Sequence, residues 1–218
     1  MHGVKKKKFR WFKVPKKKNE HGTAIMKGKM KSALAKAKAE GYRIIYLDET
    51  CFTRKTMLDM EWALPGENVT LDVAKINEPC LALLAAISKG KGLEHYRIFP
   101  KSVDTKKFKE WLRELRELNG DDKICLFMDN LSCHRSDKAL NCMKELGFKY
   151  IFNLPYAPEY NPIELTFSLL KHKFKALRQQ KLVGLRQEPH EALVKIAWES
   201  LRKGYIVNCI RHVEDLLK

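Results

Sequence analysis

Three acidic residues carry the first chemical signal in this chain. Asp48 closes the apolar, aromatic-rich run Arg43–Leu47, and Asp129 follows the apolar run Ile124–Met128. Each carboxylate stands at or just past the carboxyl end of a strand-like segment, the edge from which an open α/β sheet presents its ligands. If those two strands pair where strand order reverses, both acids share one crevice, and Glu164 on a following helix completes a triad. Three clustered carboxylates repel one another unless divalent cations neutralise them, and an all-oxygen donor set is what Mg²⁺ or Mn²⁺ prefers. Singly, the acids also have ordinary uses: Asp48 as a cap, Asp129 as a turn residue, Glu164 at a positive helix N-terminus.

The elements that must position these acids are visible in the hydrophobic pattern. From Tyr42 onward β-like and α-like segments alternate, which predicts an α/β sheet with helices packed on its faces. Strands are expected at Arg43–Leu47, Val69–Val73, Cys80–Ser88, His95–Phe99, Ile124–Met128 and Lys149–Asn153. Helices are expected over Met26–Glu40, Asp104–Leu118 and Ser136–Leu146. In the second of these, Phe108, Trp111, Leu112 and Leu115 recur at helical spacing behind Asp104 as N-cap. Asn161-Pro162 opens a further helix whose face Ile163, Phe167, Leu170, Phe174 and Leu177 turns inward. Glu164 lies off that face, and Ser168, Lys171, Lys175 and Arg178 fall within about 40° of its direction. One stripe thus carries a carboxylate followed by three cations. Two amphipathic helices, Glu188–Arg202 and Tyr205–Leu217, read as core.

Charge narrows the class of partner. The chain has 218 residues, 44% of them hydrophobic, enough for one sizeable core; its 43 Lys and Arg against 26 Asp and Glu leave a net charge of +17. So large a surplus implies a polyanion such as nucleic acid or an anionic membrane surface, and demotes a metabolic enzyme that handles only a coenzyme. Residues 1–40 hold fourteen basic residues against Glu20 and Glu40, a surplus of 12 that leaves 5 for residues 41–218. Lys5, Lys6, Lys7, Lys8, Arg10, Lys16, Lys17 and Lys18 are interleaved with Phe9, Trp11 and Phe12. That mixture suits phosphate contact plus stacking, and equally a solvated basic tail or a nuclear-import signal in a eukaryotic host. The longest apolar run, Leu81–Ile87, is far short of the roughly 20 residues of a membrane-spanning helix, and no signal-peptide core follows the basic arm. The expectation is a soluble intracellular protein. The six cysteines form no CxxC pair, as expected of reduced thiols; Cys133 beside His134, with Cys142 beyond, lacks a fourth zinc ligand.

Local context around the acids is more specific than the acids themselves. Tyr46-Leu-Asp48-Glu-Thr50, Asp129-Asn130-Leu-Ser-Cys-His134 and Leu154-Pro-Tyr-Ala-Pro-Glu-Tyr-Asn-Pro-Ile-Glu164, with Lys171 beyond, closely resemble the catalytic domain of the mariner-like superfamily of cut-and-paste DDE transposases. The resemblance runs from about residue 42 to about residue 178 and includes Trp62 and Gly66; residues 130–163, an interval of 34, separate the last two acids, as in one major branch of that superfamily. It implies a ribonuclease H-like fold, a mixed sheet flanked by helices behind a basic N-terminal arm, with residues 1–40 as arm or linker and 41–218 as the catalytic domain. It further implies that Asp48, Asp129 and Glu164 hold two Mg²⁺ or Mn²⁺ ions for cleavage and 3′-hydroxyl strand transfer. Asn130 and His134 would orient a metal-bound carboxylate or a phosphate, and Lys171, Lys175 and Arg178 would hold the DNA backbone. The implied partners are double-stranded DNA, both element ends and target at a TA step, and a second copy of the chain. The compartment would be the nucleus in a eukaryotic host and the cytoplasm otherwise. Family members carry two helix-turn-helix modules ahead of this domain, and forty residues do not hold one. The remaining readings are a nuclease of the same fold without strand transfer and a non-catalytic, host-adopted DNA-binding protein.

Overall fold

A computed structural model of the chain describes residues 20–53, 56, 79–182 and 184–218. The basic run Lys5 to Lys18, the strand expected at Val69–Val73, and Trp62 and Gly66 lie outside the described residues.

In chain order the elements are α1 (Glu20–Ala39), β1 (Arg43–Phe52), β2 (Leu81–Ser88), β3 (Gly92–Pro100), α2 (Thr105–Glu117), β4 (Ile124–Met128), α3 (Ser132–Arg135), α4 (Asp137–Glu145), β5 (Lys149–Phe152), α5 (Pro162–Leu182), α6 (His190–Glu199) and α7 (Lys203–Leu216). The strands form one sheet in the order β3-β2-β1-β4-β5. β1 runs antiparallel to β2 and parallel to β4, so the sheet is mixed.

Two apolar layers explain the order. Every residue of β2 and β4 is buried, because helices cover both faces of the sheet. On one face Tyr46, Leu83, Ala85 and Phe127 pack against Ile163, Phe167, Leu170 and Phe174 of α5 and against Trp198 of α6. On the other, Ile45, Leu47, Leu84 and Leu126 meet Phe108, Trp111, Leu112 and Leu115 of α2 and Met143 of α4. α2 begins as its sequence dictates: the Asp104 carboxylate accepts from Lys107 N at 2.9 Å. Ser136 caps α4 in the same way, accepting from Ala139 N, and Ser132–Arg135 makes a separate turn of helix ahead of it.

Several boundaries differ from expectation: β3 begins at Gly92 rather than His95, and α6 ends at Glu199 rather than Arg202. β1 does not stop at Leu47 but continues to Phe52, because its outer half pairs with β2 from Asp48↔Ala85 to Phe52↔Leu81. The helix expected over Met26–Glu40 between the basic arm and the globular part begins earlier, at Glu20: α1 spans 20 residues and buries Met30, Leu34 and Ala37 in the same cluster as Ile44 and Tyr46. Its spacing of small and apolar residues at 30, 34 and 37 is the helical repeat that makes this docking available.

Candidate active site

β1 and β4 set the level of the first two acids. Their parallel register ends at Tyr46↔Phe127, so Asp48 and Asp129 each lie two residues beyond the last pair, where the strands part. Asp48 is 8% exposed. Its Oδ1 accepts from Glu49 N at 2.8 Å and its Oδ2 from Asn161 Nδ2 at 3.4 Å. Asn161 also donates to Leu47 O at 3.1 Å, and its Oδ1 accepts from Ile163 N at 3.4 Å. One side chain therefore caps the helix that carries Glu164 and grips the strand that carries Asp48.

Asp129 is fixed from behind. Its Oδ1 accepts from Leu131 N at 3.1 Å and lies 2.8 Å from His134 Nδ1. The other ring nitrogen, Nε2, lies 3.0 Å from Glu49 Oε1. The His134 side chain is wholly buried, and a carboxylate oxygen can only accept, so both ring N–H groups donate. Burial alone would discharge this ring, but hydrogen bonds to Asp129, Cys133 and Glu49 hold its pKa well above the ordinary histidine value.

The three acids act on one another. Burial, then the charges of Asp129, Glu49 and Glu164, push the Asp48 carboxyl up to about 8 against the hydrogen bond from Glu49 N. Glu164 is also raised, first by burial and then by Asp129, with Lys171 pulling the other way. Asp48, Asp129 and Glu164 line one cleft of about 670 Å³, together with Asn130, Asn153, Tyr156 and Asn161. A pocket that gathers four carboxylates against Arg135, and in which the pKa values of Asp48 and Glu164 are raised, carries an excess of negative charge, and a divalent cation of the Mg²⁺ or Mn²⁺ type would offset it with the matching ligand chemistry. The residues present fit such ions.

A softer metal finds less. Among the described residues Glu49, Cys133 and His134 offer ligand atoms within 4.8 Å of one another, which adds Glu49 to the Cys133–His134 pair noted in sequence. Both nitrogens of His134 are committed to carboxylates, so no lone pair is left for zinc.

The other sequence candidates divide. Lys171 and Lys175 stay on the Glu164 side of α5, half-buried. Arg178 does not belong to that stripe: it is 1% exposed, and its Nη1 donates to Thr53 O at 3.0 Å and Thr56 O at 3.1 Å. The reason is angular. At about 100° per residue Arg178 leans about 40° from Glu164 toward Phe167 and the apolar face, whereas Ser168 leans as far the opposite way. Arg178 therefore fastens α5 to the end of β1. Asn130 Nδ2 donates to the carbonyl of Asn153, tying the end of β4 to the end of β5.

Sequence reasoning passed over Glu49, Asn153 and Tyr156. Asn153 donates to Ala157 O at 2.7 Å and accepts from Leu154 N at 2.8 Å, which shapes the loop leading to Glu164. Tyr156, at the cleft, is 93% exposed with φ of 56°, a left-handed conformation uncommon outside glycine. The available signal was the Pro-Tyr-Ala-Pro context for Tyr156 and the Asp-Glu dipeptide for Glu49.

Solved structures share this fold. The Mos1 transposase paired-end complex with left transposon end superposes with a TM-score of 0.70 at 18% identity, covering 99% of this chain and 65% of that chain. The Mos1 mariner paired end complex with Mn gives 0.64 at 16% identity, with the same 99% and 65% coverage. The catalytic domain of Mos1 mariner transposase gives 0.61 at 14% identity, covering 94% of both chains. This chain thus spans about 65% of the length of the transposase in the paired-end complexes. At these identities the likeness establishes a ribonuclease H-like fold. No curated protein matches the chain in sequence. The acids at the strand ends and on α5 fall within residues 43–183, which match the DDE superfamily endonuclease model over well more than half of the chain, and the chain belongs to that family.

Proposed function

We propose that this chain is the catalytic domain of a DNA transposase, which cuts DNA and joins a free 3′-hydroxyl to target DNA with two divalent cations held by Asp48, Asp129 and Glu164. The observation that carries the reading is the convergence of these three acids, from two strand ends and one helix, on a single cleft in which Asp48 feels the charges of Asp129 and Glu164, and Glu164 that of Asp129. Divalent cations bound there supply charge neutralisation of the attacking and leaving oxygens in an in-line displacement. The chain's own part is placement. Asn161 holds Asp48, His134 holds Asp129, and the first turn of α5 holds Glu164, so the donor oxygens would meet the cations without reorganising. The sharing of this fold with Mos1 complexes bearing a transposon end and with a strand transfer complex supports DNA as the substrate. The 34-residue interval between Asp129 and Glu164 supports the branch assignment. With it go a TA-containing target, action as a homodimer, and the nucleus of a eukaryotic host or otherwise the cytoplasm.

The test is a labelled duplex, offered intact and pre-cut with a free 3′-hydroxyl, in Mg²⁺ or Mn²⁺. Cut and joined products are both expected. Cutting without joining would replace the reading by a hydrolytic nuclease; salt-sensitive binding with neither product would leave a DNA-binding protein.

Lys171 and Lys175 extend the Glu164 stripe and would contact phosphates. Each Lys→Ala change is expected to flatten the slope of log affinity against log salt by about 1, read by fluorescence anisotropy over a salt series. Arg178→Ala should leave that slope untouched and instead lower the melting temperature, because it removes the buried guanidinium that donates to Thr53 O and Thr56 O, at a cost of about 2–3 kcal/mol. A salt slope that moves with Arg178 and not with the lysines would reverse these assignments.

A further inference from the structure

Glu49 follows Asp48 on β1, and successive side chains of a strand point to opposite faces. Asp48 meets Asn161 at the foot of α5, so Glu49 turns to the face covered by α2 and α4, toward His134 of α3. There its Oε1 lies 3.0 Å from His134 Nε2, while His134 Nδ1 lies 2.8 Å from Asp129 Oδ1. The His134 ring is wholly buried and packs on Phe108 with centroids 4.4 Å apart. Glu49 itself keeps 11% of its side-chain surface, and its Oε2 is buried with no hydrogen-bond partner among the described residues. An unpaired buried carboxylate oxygen costs stability, so packing alone gives no reason for an acid here.

We propose that Glu49 is a positioning residue of the active site: it locks the His134 ring, and through that ring it fixes the angle at which the Asp129 carboxylate faces the cleft. Two consecutive residues of one strand then serve both strand-end acids. Asp48 is a donor itself, and Glu49 reaches Asp129 from the opposite face of the sheet by way of α3. A ligand held by a second group that is itself held tends to bind its ion more tightly, and loss of such outer partners commonly weakens metal affinity by about 10–100-fold. The inference rests on Asp129 being a cation ligand.

The test is Mn²⁺ binding to the full chain in the presence of the pre-cut duplex, followed by electron paramagnetic resonance of the free ion, alongside melting temperature. Wild type is compared with Glu49→Ala, Glu49→Gln and Asp129→Asn. Glu49→Ala is expected to weaken Mn²⁺ binding about tenfold in protein that is still folded, and Glu49→Gln, which keeps an acceptor oxygen, to recover most of it. A purely structural role would lower the melting temperature and leave the Mn²⁺ affinity of the folded protein unchanged, which overturns the proposal. Should Glu49→Ala fail to fold, Glu49→Gln takes its place with an expected loss of roughly threefold, and unchanged affinity there is equally fatal. Wild-type affinity in Asp129→Asn overturns the ligand assignment instead, so the two failures are told apart.

Discussion

Asp129→Asn is expected to reduce metal-dependent cutting and joining by about a thousandfold or more, since a cation that stabilises transition-state charge contributes several kcal/mol and each 1.4 kcal/mol is tenfold. The substitution removes one negative charge and almost no volume. An amide oxygen at this position still accepts from Leu131 N and from His134 Nδ1, so the turn after β4 and the buried ring keep their partners. Melting temperature should change little while product disappears, and that contrast separates lost chemistry from lost fold. Cutting and joining are read on denaturing gels with equal amounts of folded protein. Retention of more than a tenth of wild-type product would mean that Asp129 is not a ligand of the catalytic cations.

The second large effect is a dependence of cation affinity on pH. Asp48 is held protonated up to about 8, chiefly by burial and then by Asp129 and Glu49, so below that value a divalent cation must displace its proton. Apparent affinity should fall by about tenfold for each pH unit below 8, and calorimetry in buffers of different ionisation enthalpy should register close to one proton released near pH 6.5. The sign for stability follows from the same shift. Between the ordinary value of 3.8 and about 8 the folded, metal-free protein binds a proton that the unfolded chain has lost, so this group makes stability fall as pH rises through that window. Mg²⁺ should therefore raise the melting temperature more at about pH 8 than at about pH 6, because the cation takes the place of the proton. Asp48→Asn should flatten both trends. A cation affinity that does not vary between those two pH values would show that Asp48 is already ionised and that burial does not govern it.

Much of the architecture was legible in order of residues. The fully apolar runs of β2 and β4 are strands because a sheet covered on both faces needs no polar alternation, and Phe108, Trp111, Leu112 and Leu115 behind Asp104 make α2 unavoidable. The three acids and the motif around each were equally visible, since their chemistry lies in residue type and local context. Interval and motif do not say which strands are neighbours. Only the parallel register of β1 with β4 brings Asp48 level with Asp129, and only the antiparallel pairing with β2 carries β1 past Asp48 to Phe52.

The errors and omissions share that cause. Arg178 looked like a phosphate contact because helical periodicity fixes a direction to within some tens of degrees; whether an edge residue meets solvent or a carbonyl depends on what packs beside the helix, here Thr53 and Thr56. Glu49 went unread because its partner His134 is 85 residues away along the chain. The chain by itself determined the donor chemistry, the existence and type of most of the described helices and strands, and the charge that calls for a polyanion, since each is a property of composition or of short-range repeat. Tertiary structure decided which carboxylates share a cleft, how far burial raises Asp48, and which cations remain outside, because those depend on distance and dielectric between segments that sequence leaves far apart.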